Sequence, residues 1–399
     1  LGIEINDISH REKLPCLNQN DIIIDAIFGS GLSRPIMGFT ANLIEHINNS
    51  NALVISIDIP SGLYSSAQEG AYLHPIISAS HTLTFQLPKL SFLLPSTGNY
   101  IGEFHILNIG LDKKYISSLP TNYFFIEPND LQSIYKDRPK FSHKGSYGKA
   151  LIMAGSHGMM GAAILSARAC LHSGVGLLSM LIPEDENVIM QKSVPEAITI
   201  TSHNIDVEKF TSIALGPGIG KNDDTSKVVE TILKSVSQPI ILDADAINLL
   251  SENHHWFEYI PPQSILTPHP GEFKRLVGEW SSDAECVEKL TSLAQYHQIY
   301  IILKGAHSMI STPNGDIYFN STGNPGMATG GSGDVLTGML AALLAQGYTS
   351  IEASLLGVFL HGLSGDLAAQ ALTWESVTAG SIIEQITNAF KTIQKRTIN

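Results

Sequence analysis

The chain has 399 residues, with 37 Asp and Glu residues against 24 Lys and Arg, and a formal net charge of −13. This length exceeds what one hydrophobic core usually serves, so we expect two or three domains. A hydrophobic content of 43% excludes a mainly disordered chain. The acidic balance argues against nucleic acid as a partner, because nonspecific binding needs basic patches. A small phosphate anion stays possible, since backbone amides bind it.

The three cysteines, Cys16, Cys170 and Cys286, lie far apart. Their number and spacing fit neither a disulfide framework nor a zinc site, so we expect a reducing, cytoplasmic location. The longest apolar stretches, such as residues 335–345, cover about half of a membrane span, and no signal peptide is recognisable. We therefore expect no membrane association. Because the chain starts at Leu1 rather than Met, we expect a fragment or a missing true start.

The first stretch, about residues 1–120, has the pattern of an α/β domain. Residues 22–24 are three isoleucines that predict a buried strand, and Asp25 follows them. A second strand-like run, residues 53–57, leads directly into Asp58 and then Pro60-Ser61-Gly62. Ligands of parallel sheets bind beyond the carboxyl ends of strands, which favours a site at the two aspartates. Ordinary turn chemistry explains the same residues.

A second α/β pattern begins after a polar, proline-containing stretch. Residues 121–140 predict a linker, and residues 141–399 a second domain. Residues 161–173 predict a helix that ends at Gly174. Strand-like runs recur at residues 150–153, 176–182, 212–215, 239–242 and 300–303. This alternation predicts a largely parallel sheet with helices on both faces.

The densest chemical signal is the glycine-rich segment 323–336. It contains Gly330-Gly331-Ser332-Gly333-Asp334 and continues into a predicted amphipathic helix of about 13 residues. A glycine-rich turn that leads into a helix leaves backbone N–H groups free to bind a phosphoryl group. Asp334 has two interpretations: it caps the helix, or it accepts a proton from an attacking hydroxyl group.

Four further clusters follow predicted strands, and each has a structural alternative. Lys304 with the turn 305–308 suits phosphate or adenosine contact, or is a strand-to-turn junction with a solvated lysine. His269 lies between two prolines and either contacts substrate or is structural. Residues 215–220 form another glycine-rich turn. Asp243 and Asp245 follow a strand, where one of them could hold Mg²⁺ through water.

Taken in order, these motifs resemble one family. The second domain is similar to NAD(P)H-hydrate dehydratases, which have the ribokinase-like fold. The matching segments are 144–148, 154–156, 161–163, 216–220, 243–246, 267–272, 304–305, 330–336 and 361–362.

The resemblance implies ADP-dependent dehydration of (6S)-NAD(P)H hydrate, with release of AMP and phosphate. ADP would phosphorylate the C6 hydroxyl group, and the ring nitrogen would then expel phosphate. Asp334 would be the catalytic base, with Mg²⁺ on the phosphates. The residues implied in nucleotide binding are Lys304, Gly305, Ala306, His307, Ser308, Gly331 and Gly333. Those implied in substrate binding are Ala162, Gly218, Gly220, His269 and Asp334.

The first domain resembles the back part of an NAD(P)H-hydrate epimerase domain, a partial Rossmann-like unit, through segments 25–32 and 58–63, Lys89 and residues 102–110. The resemblance implies that Asp25 and Ser61 hold K⁺. It implies hydrate contacts for Gly29, Ser30, Gly31, Leu32 and Asp58. The Asn-Asn-Gly-Gly-Asp-Gly loop of that family does not occur in these 399 residues. We expect either that it lies upstream of Leu1 or that the epimerase site is incomplete.

A rival function also fits the glycine-rich turn. The second domain would then be a vitamin or sugar kinase of the ribokinase-like fold, and the first a non-catalytic oligomerisation module. The His269 cluster and the fused first domain favour the dehydratase. Because relatives assemble through the first domain, the resemblance also implies a homo-oligomer.

Overall fold

The computed structural model describes residues 4–8, 14–66, 74–202 and 205–394. The chain divides into two compact units. The small unit comprises residues 1–121 together with 280–287, and the large unit comprises residues 122–279 and 288–399.

The small unit contains a four-stranded parallel sheet, counted over the described residues, with strand order β1-β2-β3-β4. Its strands are β1 (Ile22–Asp25), β2 (Leu53–Ile57), β3 (His81–Phe85) and β4 (Glu103–Leu107). Its helices are α1 (Phe39–Asn48) and α2 (Lys113–Ser118).

The two faces of this sheet differ in burial. One face carries Val54, Ser56 and Thr82, all at most 3% exposed, and the core there includes Ile44 and Ile47 of α1. The opposite face is open to solvent at the β1 edge. Ile22 is 68% exposed and Ile24 is 57% exposed, so the prediction of a buried strand at residues 22–24 is wrong. A strand is there, but it lies at the edge of the described sheet, so Ile22 and Ile24 are on the open face, whereas Ile23 packs against the core on the other face.

Over its described residues, the large unit contains a ten-stranded sheet and most of the helices. Its strands are β5 (Tyr123–Phe125), β6 (Lys149–Met153), β7 (Leu177–Leu181), β8 (Ile198–Ile200), β9 (Ser212–Leu215), β10 (Ile240–Leu242), β11 (Ile265–Leu266), β12 (Tyr300–Leu303), β13 (Met309–Ser311) and β14 (Ile317–Phe319). Its helices are α3 (Pro128–Gln132), α4 (Met160–His172), α5 (Asn187–Ser193), α6 (Asp223–Ser235), α7 (Ala244–Glu252), α8 (Pro270–Val277), α10 (Ser332–Ala345), α11 (Ser350–Ala371) and α12 (Ala379–Ile393). Helix α9 (Asp283–His297) begins in the residues assigned to the small unit and continues into the large unit.

The predicted largely parallel sheet is confirmed. The strand order is β5-β14-β13-β12-β11-β10-β9-β6-β7-β8. Neighbours from β12 to β8 run parallel, and only β13 makes antiparallel pairs. All five strand-like runs of the second domain form strands, and the helix predicted over 161–173 is α4. Parallel pairing places the carboxyl ends of β6, β9, β10, β11 and β12 along one edge of the sheet.

The stretch 121–140 is not a free linker. Tyr123–Phe125 forms β5, which pairs in parallel with β14 of the large sheet. Ile126 and Leu131 are buried in the core of the large unit. The composition of this stretch is polar, and the strand is only three residues long, too short to give a periodic signal in the sequence.

Helix α10 is buried on all sides rather than amphipathic. Every residue from 335 to 345 is buried. Gly338 lies so close to α4 that a Cβ atom there would be 2.1 Å from the Ser166 carbonyl oxygen, and Gly357 of α11 packs on Leu340. The helix is apolar all round because it packs against helices as well as the sheet. Among the described residues, no helix has both the length and the apolar character that crossing a membrane requires.

Candidate functional site

In the large unit, the turns that carry the sequence motifs meet at the carboxyl edge of the parallel strands. Backbone hydrogen bonds join the turns in pairs. The N–H of Gly155 donates to the Pro217 carbonyl at 2.8 Å, and the N–H of Lys304 donates to the Pro268 carbonyl at 2.9 Å. These bonds bring the predicted clusters at Lys304, His269 and residues 215–220 to one edge, together with the turn at Gly155, as expected for a ligand site of an α/β sheet.

The glycine-rich turn ends in a left-handed residue that starts α10. Gly331 is the N-cap, with φ of +88°, and a Cβ atom there would lie 2.5 Å from Leu165 Cδ1. The first helical bond in α10 runs from the Val335 N–H to the Gly331 carbonyl, at 3.2 Å. The amides of Gly333 and Asp334 precede that bond and have no acceptor within the helix. This helix end can bind an anionic group.

Lys304 lies beside this helix end and is held by buried carboxylates. Its Nζ is 2.9 Å from Asp243 Oδ1 and 4.0 Å from Glu272 Oε2. A Cβ atom on Gly333 would be 3.3 Å from the same Nζ. Burial opposes the charge on Lys304, but Asp243, Glu272 and Asp334 outweigh it and raise its pKa. Lys304 is therefore a fixed positive charge next to the predicted phosphoryl position.

Asp334 occupies the third position of α10 and is half-buried. Burial, and then repulsion from Asp243, raise its pKa to about 7, against an opposing effect of Lys304. A carboxyl group with this pKa exchanges a proton near neutral pH, which is the property of a general base. The sequence analysis interpreted Asp334 either as a helix cap or as a proton acceptor, and both interpretations depend on its position in the first turn of α10. In the structure, the N-cap residue of α10 makes no side-chain capping hydrogen bond.

Asp243, which the sequence analysis considered only as a possible Mg²⁺ ligand, and Glu272, which it did not single out, are the buried partners of Lys304. Asp243 is 1% exposed, and its second oxygen accepts from Thr337 Oγ1 at 2.7 Å. Glu272 is 5% exposed and its Oε2 accepts from the His269 N–H at 2.8 Å. The signal for Asp243 was its place after a strand. The signal for Glu272 was the spacing of a capping box.

His269 is the N-cap of α8. Its Nδ1 accepts from the Gly271 N–H at 3.0 Å, and its Nε2 lies 3.3 Å from Glu272 Oε1. The side chain is 48% exposed. His269 therefore orders the turn before α8 and still presents the ring to solvent, so its proposed contact with substrate stays a prediction.

Ala162, Gly218 and Gly220 lie together around a second glycine-rich turn. A Cβ atom on Gly218 would be 3.0 Å from the Ala162 Cβ, and Gly218 has φ of +64°. The N–H of Gly220 donates to Asp245 Oδ2 at 2.9 Å. The three predicted substrate contacts thus lie close together at the start of α4, and the hydrogen bond to Asp245 holds Gly220 in place.

The turn 305–308 connects β12 to β13. Gly305 and Ala306 are exposed, whereas His307 Nδ1 is 2.9 Å from the Asn320 carbonyl oxygen. Burial lowers the pKa of His307. Ser308 Oγ bonds within the turn, to the Gly305 carbonyl. Gly305 N–H in turn donates to Ser308 Oγ at 3.3 Å, so Ser308 orders the turn, and the predicted nucleotide contacts of residues 305–308 stay a prediction.

His361 of α11 is another residue near the glycine-rich turn. Its Nε2 is 3.3 Å from Ser332 Oγ, and burial lowers its pKa to about 4. The imidazole is therefore neutral at pH 7. The sequence motif at residues 361–362 marked this position, without indicating that it supports the start of α10.

The small unit contains a second strand-end cluster, around Asp25. This carboxylate is 1% exposed. Its Oδ1 accepts from Ser61 Oγ at 2.6 Å, and its Oδ2 accepts from Ser61 N–H and Ser56 Oγ, both at 2.8 Å. Asp25 and Ser61 thus bond directly to each other. The two residues that the resemblance implies as K⁺ ligands thus lie side by side, and K⁺ stays a prediction.

Asp58 lies next to this cluster, at the end of β2, with φ of +66°. Its Oδ1 is 2.9 Å from Lys89 Nζ. Burial would raise the pKa of Asp58, but its hydrogen bonds and the Lys89 charge lower it. A Cβ atom on Gly29 would lie 3.7 Å from Asp58 Oδ2. The loop of Gly29, Ser30, Gly31 and Leu32 therefore borders Asp58, and its first three residues are exposed.

Comparison with known proteins assigns both units. A family model described as NAD(P)H-hydrate dehydratase matches residues 150–388, more than half of the chain. The chain belongs to the NAD(P)H-hydrate dehydratase family. A second model, described as YjeF-related protein N-terminus, matches residues 1–91.

Relatives in this family match both units. The bifunctional NAD(P)H-hydrate repair enzyme of Thermofilum pendens is 35% identical, over 99% of this chain and 78% of its own length. That of Moorella thermoacetica is 34% identical, over 94% and 74%. A solved ADP/ATP-dependent NAD(P)H-hydrate dehydratase from Bacillus subtilis, co-crystallised with ATP and Mg²⁺, is 30% identical with a TM-score of 0.62. It covers 69% of this chain and 100% of its own. A solved ribokinase-like superfamily protein from Enterococcus faecalis is 27% identical with a TM-score of 0.63, over 70% of this chain and 99% of its own, which confirms the ribokinase-like fold of the large unit.

Proposed function

We propose that the large unit dehydrates (6S)-NAD(P)H hydrate to NAD(P)H and uses ADP as phosphoryl donor, with ATP as the alternative. Three observations support this: membership of the dehydratase family, the phosphoryl-binding geometry of α10, and the pKa of Asp334 near 7. The raised pKa of Asp334 is the observation on which the mechanism depends, because it provides a general base beside the anion site.

Phosphorylation of the substrate is the first step. Asp334 accepts the proton of the C6 hydroxyl group as its oxygen attacks the terminal phosphorus of ADP. The new P–O bond forms while the bond to the leaving AMP breaks. The amides at the start of α10 and the charge of Lys304 stabilise the negative charge on the transferred group.

Loss of phosphate is the second step. The lone pair of the ring nitrogen expels phosphate, which leaves with the electrons of the C6–O bond. Loss of a proton from C5 then restores the C5–C6 double bond. Phosphorylation is needed because hydroxide is a poor leaving group, whereas phosphate is a good one.

The site also suits Mg²⁺, which prefers oxygen ligands and the phosphates of a nucleotide. Asp243 is buried and its charge is neutralised by Lys304. Asp245 is half-buried beside Gly220, so it is the side chain that would hold the ion. When bound, Mg²⁺ neutralises phosphate charge.

To test which nucleotide is the phosphoryl donor, purified (6S) hydrate is incubated with the chain and ADP or ATP, and the return of the NAD(P)H absorbance is measured. We expect recovery with ADP and with ATP, and none without nucleotide. Recovery without nucleotide would show that the reaction is a direct dehydration and that the phosphoryl mechanism is wrong.

The vitamin or sugar kinase is less well supported, because the dehydratase model spans residues 150–388. A kinase would leave a stable phosphorylated product. Detection of free phosphate and AMP in equal amounts, with ADP as the only nucleotide, separates the two functions.

We also propose that the small unit interconverts the 6R and 6S hydrates. The match to the YjeF-related model supports this, as does a charged Asp58 held by Lys89 beside the exposed loop 29–31. The test is incubation of pure 6R hydrate with the chain and chiral analysis of the product. Absence of the 6S form would indicate that these residues alone lack epimerase activity.

Assembly and location are further proposals. The resemblance supports a homo-oligomer, which sedimentation velocity tests. Cys16 and Cys170 are free thiols, which supports a reducing compartment such as the cytoplasm.

A further inference from the structure

Three potential metal ligands meet on two neighbouring strands of the small unit. His81 is the first residue of β3 and Glu103 the first of β4, and they are register partners. His105 lies two residues after Glu103, so its side chain points to the same face of the sheet. His81 and Glu103 stand at the amino ends of their strands, whereas Asp25 is the last residue of β1 and Asp58 follows the last residue of β2. The cluster is therefore separate from the proposed epimerase site.

The potential ligand atoms of this cluster lie close together, and the two imidazole rings stack with their centroids 5.6 Å apart. His105 Nε2 is 3.5 Å from His81 Nδ1. Glu103 reaches both rings, with 3.9 Å from Oε2 to His81 Nδ1 and 3.9 Å from Oε1 to His105 Nε2. Normal hydrogen bonds are shorter, about 2.7–3.2 Å. Ligands at about 2.0–2.1 Å from a tetrahedral Zn²⁺ are separated by about 3.4 Å.

The surroundings of the cluster are apolar. The same face of the sheet carries only apolar side chains on the other strands: Ile22, Ile24, Leu53, Ile55 and Ile57. No neighbouring group on β1 or β2 therefore competes as an ion-pair partner. The ligands are also reachable from solvent, since their side chains are 38%, 70% and 44% exposed for His81, Glu103 and His105.

A second cluster of similar composition provides a contrast within the described residues. His157, Asp185 and Glu186 also place potential ligand atoms close together. There, however, His157 Nδ1 is 2.8 Å from Glu186 Oε1, the distance of a direct hydrogen bond. Two of the potential ligand atoms are therefore already bonded to each other, so this cluster is held together without an ion.

We propose that His81, Glu103 and His105 bind a divalent transition-metal ion of the zinc type. Two imidazole nitrogens and one carboxylate oxygen suit Zn²⁺ and its neighbours, whereas Mg²⁺ prefers oxygen ligands. Three protein ligands leave one position of a tetrahedral ion for water or another ligand. Bound metal would link the edge strand β4 to β3.

The test is calorimetric titration of the tag-free, chelator-treated chain with Zn²⁺, in excess Mg²⁺ to occupy carboxylate sites in the large unit. His81→Gln and His105→Gln are the test variants, and His157→Gln is the matched control. We expect one Zn²⁺ site in the wild type and in the control. Loss of a residue that only supports a metal ligand lowers metal affinity by about 10- to 100-fold. In each test variant a ligand itself is lost, so the Zn²⁺ affinity should fall by more than that.

Co²⁺ provides a second measurement, because four-coordinate Co²⁺ absorbs visible light strongly. The absorption should be present in the wild type and the control and absent in both test variants, whose circular dichroism should match the wild type. Equal Zn²⁺ affinity in all four proteins, or loss of the site in His157→Gln instead, would overturn the proposal.

Discussion

The two units each place a carboxylate and a lysine at the carboxyl ends of parallel strands, yet the carboxylates differ in acidity. In the small unit, Asp58 has one lysine partner, Lys89 at 2.9 Å, and its pKa is lowered. In the large unit, Lys304 is 2.9 Å from Asp243 and is shared with Glu272, and the pKa of Asp334 rises to about 7. Burial of Asp334, reinforced by repulsion from Asp243, outweighs the nearby Lys304 and makes this carboxyl group a base near neutral pH, whereas in Asp58 the hydrogen bonds and the Lys89 charge outweigh burial.

The largest expected effect is on Asp334. The Asp334→Asn variant retains the shape of the side chain but cannot accept a proton, so kcat for nucleotide-dependent recovery of absorbance should fall by about 10²–10⁴. Asp224→Asn, at an exposed position in the first turn of α6, is the matched control and should be unaffected. A near-wild-type rate in Asp334→Asn would show that another group is the base.

The next effect concerns the backbone that forms the anion site. Gly331→Ala places a Cβ in a left-handed conformation and against Leu165, which should cost about 2–4 kcal/mol of stability and most of the activity. Gly330→Ala is the control, since a Cβ atom there meets nothing within 4 Å. Thermal unfolding and the absorbance assay measure both effects. Equal stability of the two variants would contradict the described turn.

The pH dependence of the two activities tests the comparison directly. The base Asp334 must be deprotonated, so kcat/KM of the dehydration should fall tenfold per pH unit below about pH 7. Epimerisation should show no such loss near neutral pH, because the pKa of Asp58 lies below its usual value. Initial rates from pH 5 to 9 provide the measurement. Identical acid limbs for both activities would refute the difference in acidity.

The same pKa shift affects stability. Because the folded-state pKa of Asp334 is raised from 3.8 to about 7, its contribution to folding is most favourable below pH 3.8 and is lost as the pH rises through 7. Asp334→Asn should therefore unfold a few degrees above the wild type at pH 8, with the difference shrinking toward pH 4. A variant less stable than the wild type at pH 8 would contradict a buried, costly charge.

The smallest expected effect is on the ion pair of the small unit. Lys89→Met leaves Asp58 without its partner and should cost about 1–3 kcal/mol, because both side chains are largely buried. Lys221→Met removes an exposed pair with Glu252 and should cost less than about 1 kcal/mol. Hydrogen exchange of peptides covering residues 53–89 reports the loss. Unchanged exchange would mean that Lys89 does not stabilise Asp58.

Much of the large unit could be predicted from the sequence, because its strands are short apolar runs that end in glycine or aspartate turns. The same signals located Lys304, Gly331 and Asp334. The pairing of Lys304 with Asp243 was not predictable, since the two residues are 61 positions apart and meet only through the strand order β12-β11-β10. The exposure of Ile22 and Ile24 was also hidden, because an apolar run does not show which strand lies at an edge.

The most direct test of the central claim is one reaction with (6S) hydrate and ADP as the only nucleotide, in which NADH, AMP and phosphate are measured together. If Asp334 directs phosphoryl transfer to the hydrate, the three products form in equal amounts and all of them fail to form in Asp334→Asn. Formation of NADH without AMP, or of AMP without NADH, would contradict the mechanism.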